Sequence, residues 1–154
     1  MGKKPRILFL CTGNSCRSQM AEGWARALFG DAAEALSAGT DPKPLDPRAV
    51  RAMAEAGVDI SGHRPKSVRE FLGQTFDLVA TVCDDARESC PVFPGPGEKV
   101  HRSFDDPPRL AEGAANEEAV LAAYRRVRDE IRDFIRELGK RLPAPRGRQE
   151  RSPR

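Results

Sequence analysis

Short apolar segments of strand length alternate with amphipathic segments of helix length along most of this chain. Residues 76–82 are apolar except for Asp77 and Thr81, which is typical of a strand buried on both faces of a parallel sheet. This alternation predicts an α/β sandwich, in which helices cover both faces of a parallel sheet. The predicted strands are residues 6–10, 34–37, 76–82 and 99–104, and the predicted helices are residues 18–29, 47–57, a short helix capped by Ser67 and a long one between Asn116 and Gly139.

The segment Cys11-Thr12-Gly13-Asn14-Ser15-Cys16-Arg17-Ser18, here called the anion loop, joins the first predicted strand to the first predicted helix. Backbone N–H groups at a helix start have no intrahelical partner and carry the positive end of the helix dipole, so this loop can bind an oxyanion. The same field favours a thiolate over a thiol, which makes Cys11 a candidate nucleophile. Arg17 can grip the anion, and Gly13 lets the backbone approach it closely. The alternative is an ordinary turn with an inert cysteine.

Length and composition indicate one folded domain. The chain has 154 residues, enough for a hydrophobic core that needs no disulfides. No segment approaches the roughly 18 apolar residues of a membrane span, and the apolar run at residues 7–10 is too short for a signal peptide, so we expect a cytoplasmic protein without a membrane partner. Residues 140–154 have a net charge of +5, whereas the whole chain has a net charge of +3. We therefore predict a domain over residues 1–139, a disordered basic tail rich in proline and arginine over residues 140–154, and no nucleic-acid partner.

Two further cysteines, Cys83 and Cys90, follow the apolar strand. The carboxyl ends of parallel strands lie at one edge of a sheet, so we expect Cys83 close to Cys11. If residues 84–89 are helical, Cys83 and Cys90 stand about 10.5 Å apart along the helix axis and can form a disulfide only when this segment unwinds. The cytosol disfavours a structural disulfide, and the cysteine spacing does not suit zinc. A functional thiol pair is favoured, and two inert buried cysteines remain the alternative.

Several segments together resemble the thioredoxin-coupled arsenate reductases, which share the fold of the low-molecular-weight protein tyrosine phosphatases. The resemblance rests on the anion loop with its continuation Gln19-Met20-Ala21-Glu22-Gly23, and on Ser37-Ala38-Gly39, Asp59-Ile60-Ser61, Cys83-Asp84, Cys90-Pro91 and Phe104-Asp105-Asp106-Pro107. It implies a single domain with a four-stranded parallel sheet and helices on both sides. The phosphatases generally lack the two later cysteines, so their presence favours a reductase.

The resemblance also implies roles for individual residues. The implied catalytic residues are Cys11 as nucleophile, Arg17 as oxyanion clamp, Ser18 as a hydroxyl that holds the thiolate, Cys83 and Cys90 as later thiols, and Asp106 as general acid, with Asp105 as a competing candidate. The implied oxyanion-binding residues are Thr12, Gly13, Asn14, Ser15, Cys16 and Arg17, and Asn14 fixes the shape of the loop. Relatives that bind potassium often have an acid where this chain has Lys66. The lysine ammonium could replace the ion, which puts a potassium requirement in doubt, and we expect no other metal or bound cofactor.

By this resemblance, the expected reaction is the reduction of arsenate to arsenite. Cys11 attacks arsenic, Cys83 attacks the Cys11 sulfur as arsenite leaves, and Cys90 then attacks Cys83. Thioredoxin is the expected partner and external reductant of the Cys83–Cys90 disulfide. Cys16 fits no step and is interpreted as a loop-packing thiol that could form an off-pathway disulfide. Phosphate and sulfate are expected to fit the same loop, and we expect a monomer.

Two other functions remain open. Cys11 and Asp106 alone could hydrolyse aryl phosphomonoesters, as in a tyrosine phosphatase. Alternatively, Cys83 and Cys90 could form a redox switch without enzymatic activity. His63 and His101 have no evident partner in the motifs, and we assign them no chemistry.

Overall fold

A four-stranded parallel sheet forms the centre of the computed structural model, which describes residues 4–95 and 97–142. Its strands are β1 (Arg6–Cys11), β2 (Glu34–Gly39), β3 (Leu78–Thr81) and β4 (Glu98–His101). They pair in the order β2-β1-β3-β4, and each neighbouring pair is parallel. The predicted α/β class and the four-stranded parallel sheet are therefore confirmed, and β3 is one of the two central strands.

Five α-helices connect or follow these strands in the described ranges. They are α1 (Arg17–Phe29), α2 (Pro47–Glu55), α3 (Asp84–Ser89), α4 (Pro107–Leu110) and α5 (Glu117–Gly139), and 3₁₀ turns cover Gly30–Ala32 and Val68–Phe71. Within the described residues, no helix combines the length and the apolar character that a membrane crossing requires.

Both faces of the sheet are covered. Successive strand residues point to opposite faces, and the four residues Ile7, Leu8, Phe9 and Leu10 of β1 are all fully buried. Helices α1, α2 and α5 contact one another, and α1 packs on β1 and β2, whereas α3 packs on β1 and β3. The carboxyl ends of β1 and β3 consequently lie side by side, next to the first residues of helices α1 and α3.

The helices begin at the predicted capping residues. Asp46 accepts a hydrogen bond from the Arg48 N–H at the start of α2 (2.9 Å), and Asn116 accepts one from the Ala119 N–H at the start of α5 (2.8 Å). These side chains satisfy N–H groups that have no partner within the helix. Ser67 caps the 3₁₀ turn Val68–Phe71 in the same way.

Some element ends differ from the prediction. Helix α2 ends at Glu55 rather than at residue 57, because Gly57 turns the chain with a left-handed φ of +85°. Strand β4 ends at His101 rather than at residue 104, although the Phe104 N–H still donates to the Val82 carbonyl (3.2 Å). Helix α4 was not predicted. Its signal in the sequence is Pro107, since proline favours the first position of a helix.

The predicted tail of residues 140–154 is described only as far as residue 142. Lys140 and Arg141 continue α5 into a turn, Arg141 pairs with Glu98, and Leu142 packs partly buried against the core. Ordered contacts thus extend slightly past the predicted domain boundary at residue 139. Residues 143–154 lie outside the described residues.

Candidate active site

The anion loop lies between the end of β1 and the start of α1, as predicted. Cys11 is the last residue of β1 and pairs in register with Gly39 of β2. A Cβ atom on Gly39 would stand 2.6 Å from the Thr12 carbonyl oxygen and 2.9 Å from the Asn14 nitrogen. Only glycine leaves room for this loop to fold back over the neighbouring strand.

The Cys11 thiol is surrounded by hydrogen-bonding groups. Its sulfur lies 2.9 Å from Ser18 Oγ and accepts a hydrogen bond from the Asn14 N–H at 3.2 Å. Asn14 Nδ2 donates to Ser18 Oγ at 2.8 Å, which leaves the Ser18 hydroxyl proton available to the sulfur. Donors directed at a sulfur stabilise its thiolate form. The structure therefore brings together Cys11, Asn14 and Ser18, three of the site residues that the sequence predicts.

Asn14 fixes the shape of the loop. Its backbone is left-handed, with φ of +48°, an uncommon conformation for a residue with a side chain. The buried amide offsets this strain because Nδ2 also donates to Ser37 Oγ (2.9 Å), and Oδ1 accepts from the Lys66 N–H (2.8 Å) and from Gln19 Nε2 (3.1 Å). One side chain thus ties the loop to β2, to α1 and to the segment before the 3₁₀ turn.

A buried carboxylate, Glu22, lies behind this network. It accepts a hydrogen bond from Ser37 Oγ at 2.6 Å and pairs with Arg26 at 2.8 Å and with the Lys66 ammonium at 3.5 Å. Burial lowers the pKa of Lys66, and the nearby Glu22 carboxylate opposes that shift. Burial likewise lowers the pKa of His63, whose Nε2 lies 3.9 Å from Glu22. Lys66 and Arg26 therefore compensate the negative charge of the buried Glu22 carboxylate.

Arg17 and Asp106 face each other beside the loop. Arg17 Nη1 donates to the Phe104 carbonyl at 3.0 Å, and Nη2 lies 3.6 Å from Asp106 Oδ1. Asp105 instead pairs with Arg126 on α5. Of the two candidate general acids, the structure thus brings Asp106 to the predicted oxyanion clamp.

Cys83 lies against the anion loop. The residue lies two positions after the end of β3 at Thr81, and its sulfur stands 3.5 Å from the Oγ1 atom of Thr12, the residue that follows Cys11. Cys83 is buried, and all four cysteines of the chain are free thiols. The expectation that Cys83 would emerge beside Cys11 agrees with this geometry.

Cys90 lies at the other end of α3. The helix spans Asp84–Ser89 and separates the two later cysteines, as the sequence suggested. The half-buried Cys90 thiol donates to the Pro91 carbonyl at 3.4 Å. Burial raises the pKa of this thiol, and the ammonium of Lys99 opposes the shift. Cys90 must therefore move before it can reach Cys83.

Cys16 is buried at the start of α1, which agrees with its interpretation as a packing thiol. Burial raises its pKa well above the ordinary value, and the negative charge of Asp46 adds to the effect. The remaining predicted oxyanion-binding residues are Thr12, Gly13 and Ser15, and they lie in the anion loop between Cys11 and Cys16. In the described residues, no group of three or more His, Cys, Asp or Glu side chains is arranged to hold a metal ion.

The sequence reasoning missed several residues that support the site. Gln19, Glu22 and Ser37 belong to the segments that carry the resemblance, but the sequence indicates no role for them, and it indicates no chemistry for His63 and His101. Gln19 and Glu22 lie three residues apart on α1 and are both buried, so two polar residues on the apolar face of a helix were the available signal. His63 Nδ1 lies 2.9 Å from Gln19 Oε1, and this partner could not be found from a local pattern.

Comparisons with known proteins agree with the fold and the loop. Residues 6–147 match the family model "Low molecular weight phosphotyrosine protein phosphatase". The chain is 50% identical over 131 residues to an arsenate reductase of Halalkalibacterium halodurans, and the alignment covers 85% of this chain and 91% of that protein.

Solved structures give the same result. An arsenate reductase in the phosphate binding state superposes with a TM-score of 0.72 and 27% identity, covering 90% of this chain and 99% of that one. A thioredoxin-dependent arsenate reductase of Corynebacterium glutamicum superposes with a TM-score of 0.61 and 30% identity, covering 89% of this chain and 61% of that one. The chain therefore belongs to the low molecular weight phosphotyrosine protein phosphatase family and, within it, to the group of the arsenate reductases.

Proposed function

We propose that this chain reduces arsenate to arsenite with three cysteines, Cys11, Cys83 and Cys90, and that thioredoxin returns it to the reduced state. The observation that carries the proposal is the position of Cys83, whose sulfur lies 3.5 Å from Thr12 Oγ1 within an anion-binding loop. Phosphate-ester hydrolysis needs no second thiol at this place. A redox reaction at the Cys11 sulfur does need one.

The first step is nucleophilic attack on the oxyanion. The backbone N–H groups of the loop and the Arg17 guanidinium neutralise arsenate, and the Cys11 thiolate forms a bond to arsenic. One arsenic–oxygen bond breaks, and Asp106 protonates that oxygen, which leaves as water. Arsenic remains in its pentavalent state in the product, which is a Cys11 thioester of arsenate.

The second step transfers two electrons. The Cys83 sulfur attacks the Cys11 sulfur, and the sulfur–arsenic bond breaks with its electron pair going to arsenic. Arsenite leaves, the Cys83 proton passes to solvent, and a Cys11–Cys83 disulfide remains. The burial of Cys83 beside the loop supports this assignment, because water is kept from the adduct while a thiol stands next to it.

The third step moves the oxidation to the surface. The Cys90 thiolate attacks the Cys83 sulfur, which forms a Cys83–Cys90 disulfide and releases the Cys11 thiolate. Residues 84–89 must unwind for this bond to form, because helical geometry holds the two residues too far apart. The dithiol of thioredoxin then reduces the disulfide. The thioredoxin-dependent relative supports thioredoxin as the donor. We propose that the protein acts as a monomer in the cytoplasm, where thiols are kept reduced.

We further propose that the Lys66 ammonium takes the place of a potassium ion. Its Nζ lies 3.5 Å from Glu22 Oε1 and donates to the Arg64 carbonyl at 3.0 Å. A fixed cation thus lies beside the buried carboxylate, at the edge of the network that holds Asn14. A second cation at the same position would be repelled by this ammonium.

The proposal is tested by incubating the full chain with arsenate, thioredoxin, thioredoxin reductase and NADPH. We expect NADPH oxidation that matches arsenite formation. Cys90→Ser should release one arsenite per chain and then stop, while the matched variant Cys83→Ser should release none, since only the latter lacks the thiol that attacks Cys11. Absence of arsenite from the wild type contradicts the proposal.

The pairing of Asp106 with Arg17 beside the Cys11 thiol supports a second activity, the hydrolysis of aryl phosphates. These three groups are enough to form and release a phosphocysteine, so we expect slow hydrolysis of aryl phosphates. Cys90→Ser should keep this hydrolysis. A wild type that hydrolyses aryl phosphate efficiently and forms no arsenite would be a phosphatase. If it shows neither activity, the remaining interpretation is the redox switch formed by Cys83 and Cys90.

A further inference from the structure

His101 connects the last residue of β3 to the first residue of α3. Its Nδ1 lies 2.7 Å from Thr81 Oγ1, its register partner on β3, and its Nε2 lies 2.9 Å from Asp84 Oδ1. Because the Asp84 carboxylate can only accept, Nε2–H is the donor of that hydrogen bond. The His101 ring is mostly buried, whereas Asp84 is exposed. A side chain held by the sheet thus holds the exposed Asp84 side chain.

Asp84 is the residue next to Cys83, so this contact acts on the start of α3. Three contacts hold this end of the helix: Cys83 against Thr12, Asp84 on His101, and Ala86 fully buried in the core. The first turn of α3 is therefore fixed to the sheet and to the anion loop.

The end of α3 at Cys90 has different contacts. Cys90 donates to the carbonyl of its own neighbour, Pro91, and Pro94, Gly95 and Gly97 follow within a few residues. Under this end lies a cavity of about 270 Å³, lined by Val79, Thr81, Cys90, Lys99, Val100 and His101. His101 thus contacts the first residue of α3 and also lines the cavity beside Cys90 at the other end of the helix.

We propose that His101 is a positioning residue that holds Asp84, and through it Cys83, at the anion loop for the attack of the Cys83 sulfur on Cys11. This inference rests on the proposed function. In the step concerned, the Cys83 sulfur forms a bond to the Cys11 sulfur, the sulfur–arsenic bond breaks with its electron pair going to arsenic, and arsenite leaves. The Cys83 proton goes to solvent, and no external reductant is needed.

The test uses a matched pair of substitutions in the Cys90→Ser background, where the reaction stops after one arsenite. His101→Gln can keep a donor near the position of Nε2 and so the bond to Asp84, whereas His101→Asn is shorter and keeps only the bond to Thr81. We expect His101→Asn to slow single-turnover arsenite release about two- to fivefold, the range of a partly exposed ion pair, and His101→Gln to restore most of the rate. Asp84→Ala, which removes the acceptor, should slow release similarly, and the double variant His101→Asn with Asp84→Ala should be no slower than either single one.

Aryl phosphate hydrolysis distinguishes positioning from a general structural role. Hydrolysis uses the anion loop without Cys83, so its rate should be the same in the Asn and Gln variants. Equal arsenite release from all His101 variants overturns the inference, and so does a parallel fall in hydrolysis. Failure of the proposed function is a separate outcome, because then the Cys90→Ser parent itself releases no arsenite.

Discussion

Asp106 Oδ1 lies 3.6 Å from Arg17 Nη2, while the adjacent Asp105 pairs with Arg126 on α5. Two neighbouring carboxylates therefore have different partners, because successive residues of an extended segment point in opposite directions. Only Asp106 is placed to exchange a proton with an oxyanion held by Arg17.

The first prediction concerns these two carboxylates. We expect Asp106→Asn to lower the rate of aryl phosphate hydrolysis about 10²- to 10⁴-fold, the usual contribution of a general acid. Asp105→Asn is the matched control and should change the rate less than about threefold, since it removes an exposed ion pair. Initial rates with an aryl phosphate at several pH values provide the measurement. A larger loss in Asp105→Asn would reverse the assignment.

The second prediction concerns the left-handed backbone of Asn14. Asn14→Gly removes the buried hydrogen bonds but keeps the φ of +48° accessible, so we expect the free energy of unfolding to fall by about 2–3 kcal/mol. Asn14→Ala removes the same bonds and adds backbone strain, which should cost about 1 kcal/mol more. Urea denaturation of both variants measures the difference. Equal stabilities of the two variants would show that the backbone conformation is not strained.

The third prediction concerns Lys66 and potassium. Lys66→Gln leaves the Glu22 carboxylate with one cation fewer in a buried network, so we expect a loss of about 3 kcal/mol in the free energy of unfolding. Potassium should restore part of it, because the amide carries no charge to repel the ion. Thermal unfolding in potassium and in sodium chloride at equal ionic strength provides the measurement.

Wild-type protein and the exposed control Lys140→Gln should show the same melting temperature in both salts. A wild type that is stabilised by potassium relative to sodium would contradict the proposed replacement of the ion by Lys66.

Much of the site was predictable because it depends on local order along the chain. The anion loop follows a strand and precedes a helix, and the parallel-sheet rule places Cys83 near Cys11 without knowledge of any contact. The helix caps Asp46 and Asn116 depend on residues that lie next to each other in the sequence.

The residues that were missed act across large sequence separations. Ser37 meets Asn14 and Glu22 only because β2 lies beside β1, and His101 meets Asp84 only because of the register between β3 and β4. Periodicity indicates that a residue is buried, but it does not indicate which polar group is its partner. Such networks therefore become visible only in the folded chain.

The last prediction concerns pH and His63. Burial lowers the pKa of His63, while the carboxylates of Glu22 and Asp59 oppose the shift and the cations of Arg26 and Lys66 add to it. Below the ordinary value of about 6.5, the unfolded chain therefore binds a proton that the folded chain does not. Stability should fall as the pH drops from 7.5 to 5.5, and His63→Gln should reduce this fall.

Urea midpoints of both proteins at the two pH values measure the effect of His63. Glutamine does not titrate between these pH values, so the difference between the two proteins reports the protonation of His63. If the wild type and His63→Gln lose the same stability between pH 7.5 and 5.5, protonation of His63 does not oppose folding. The cations Arg26 and Lys66 then do not raise the cost of a further positive charge beside Glu22.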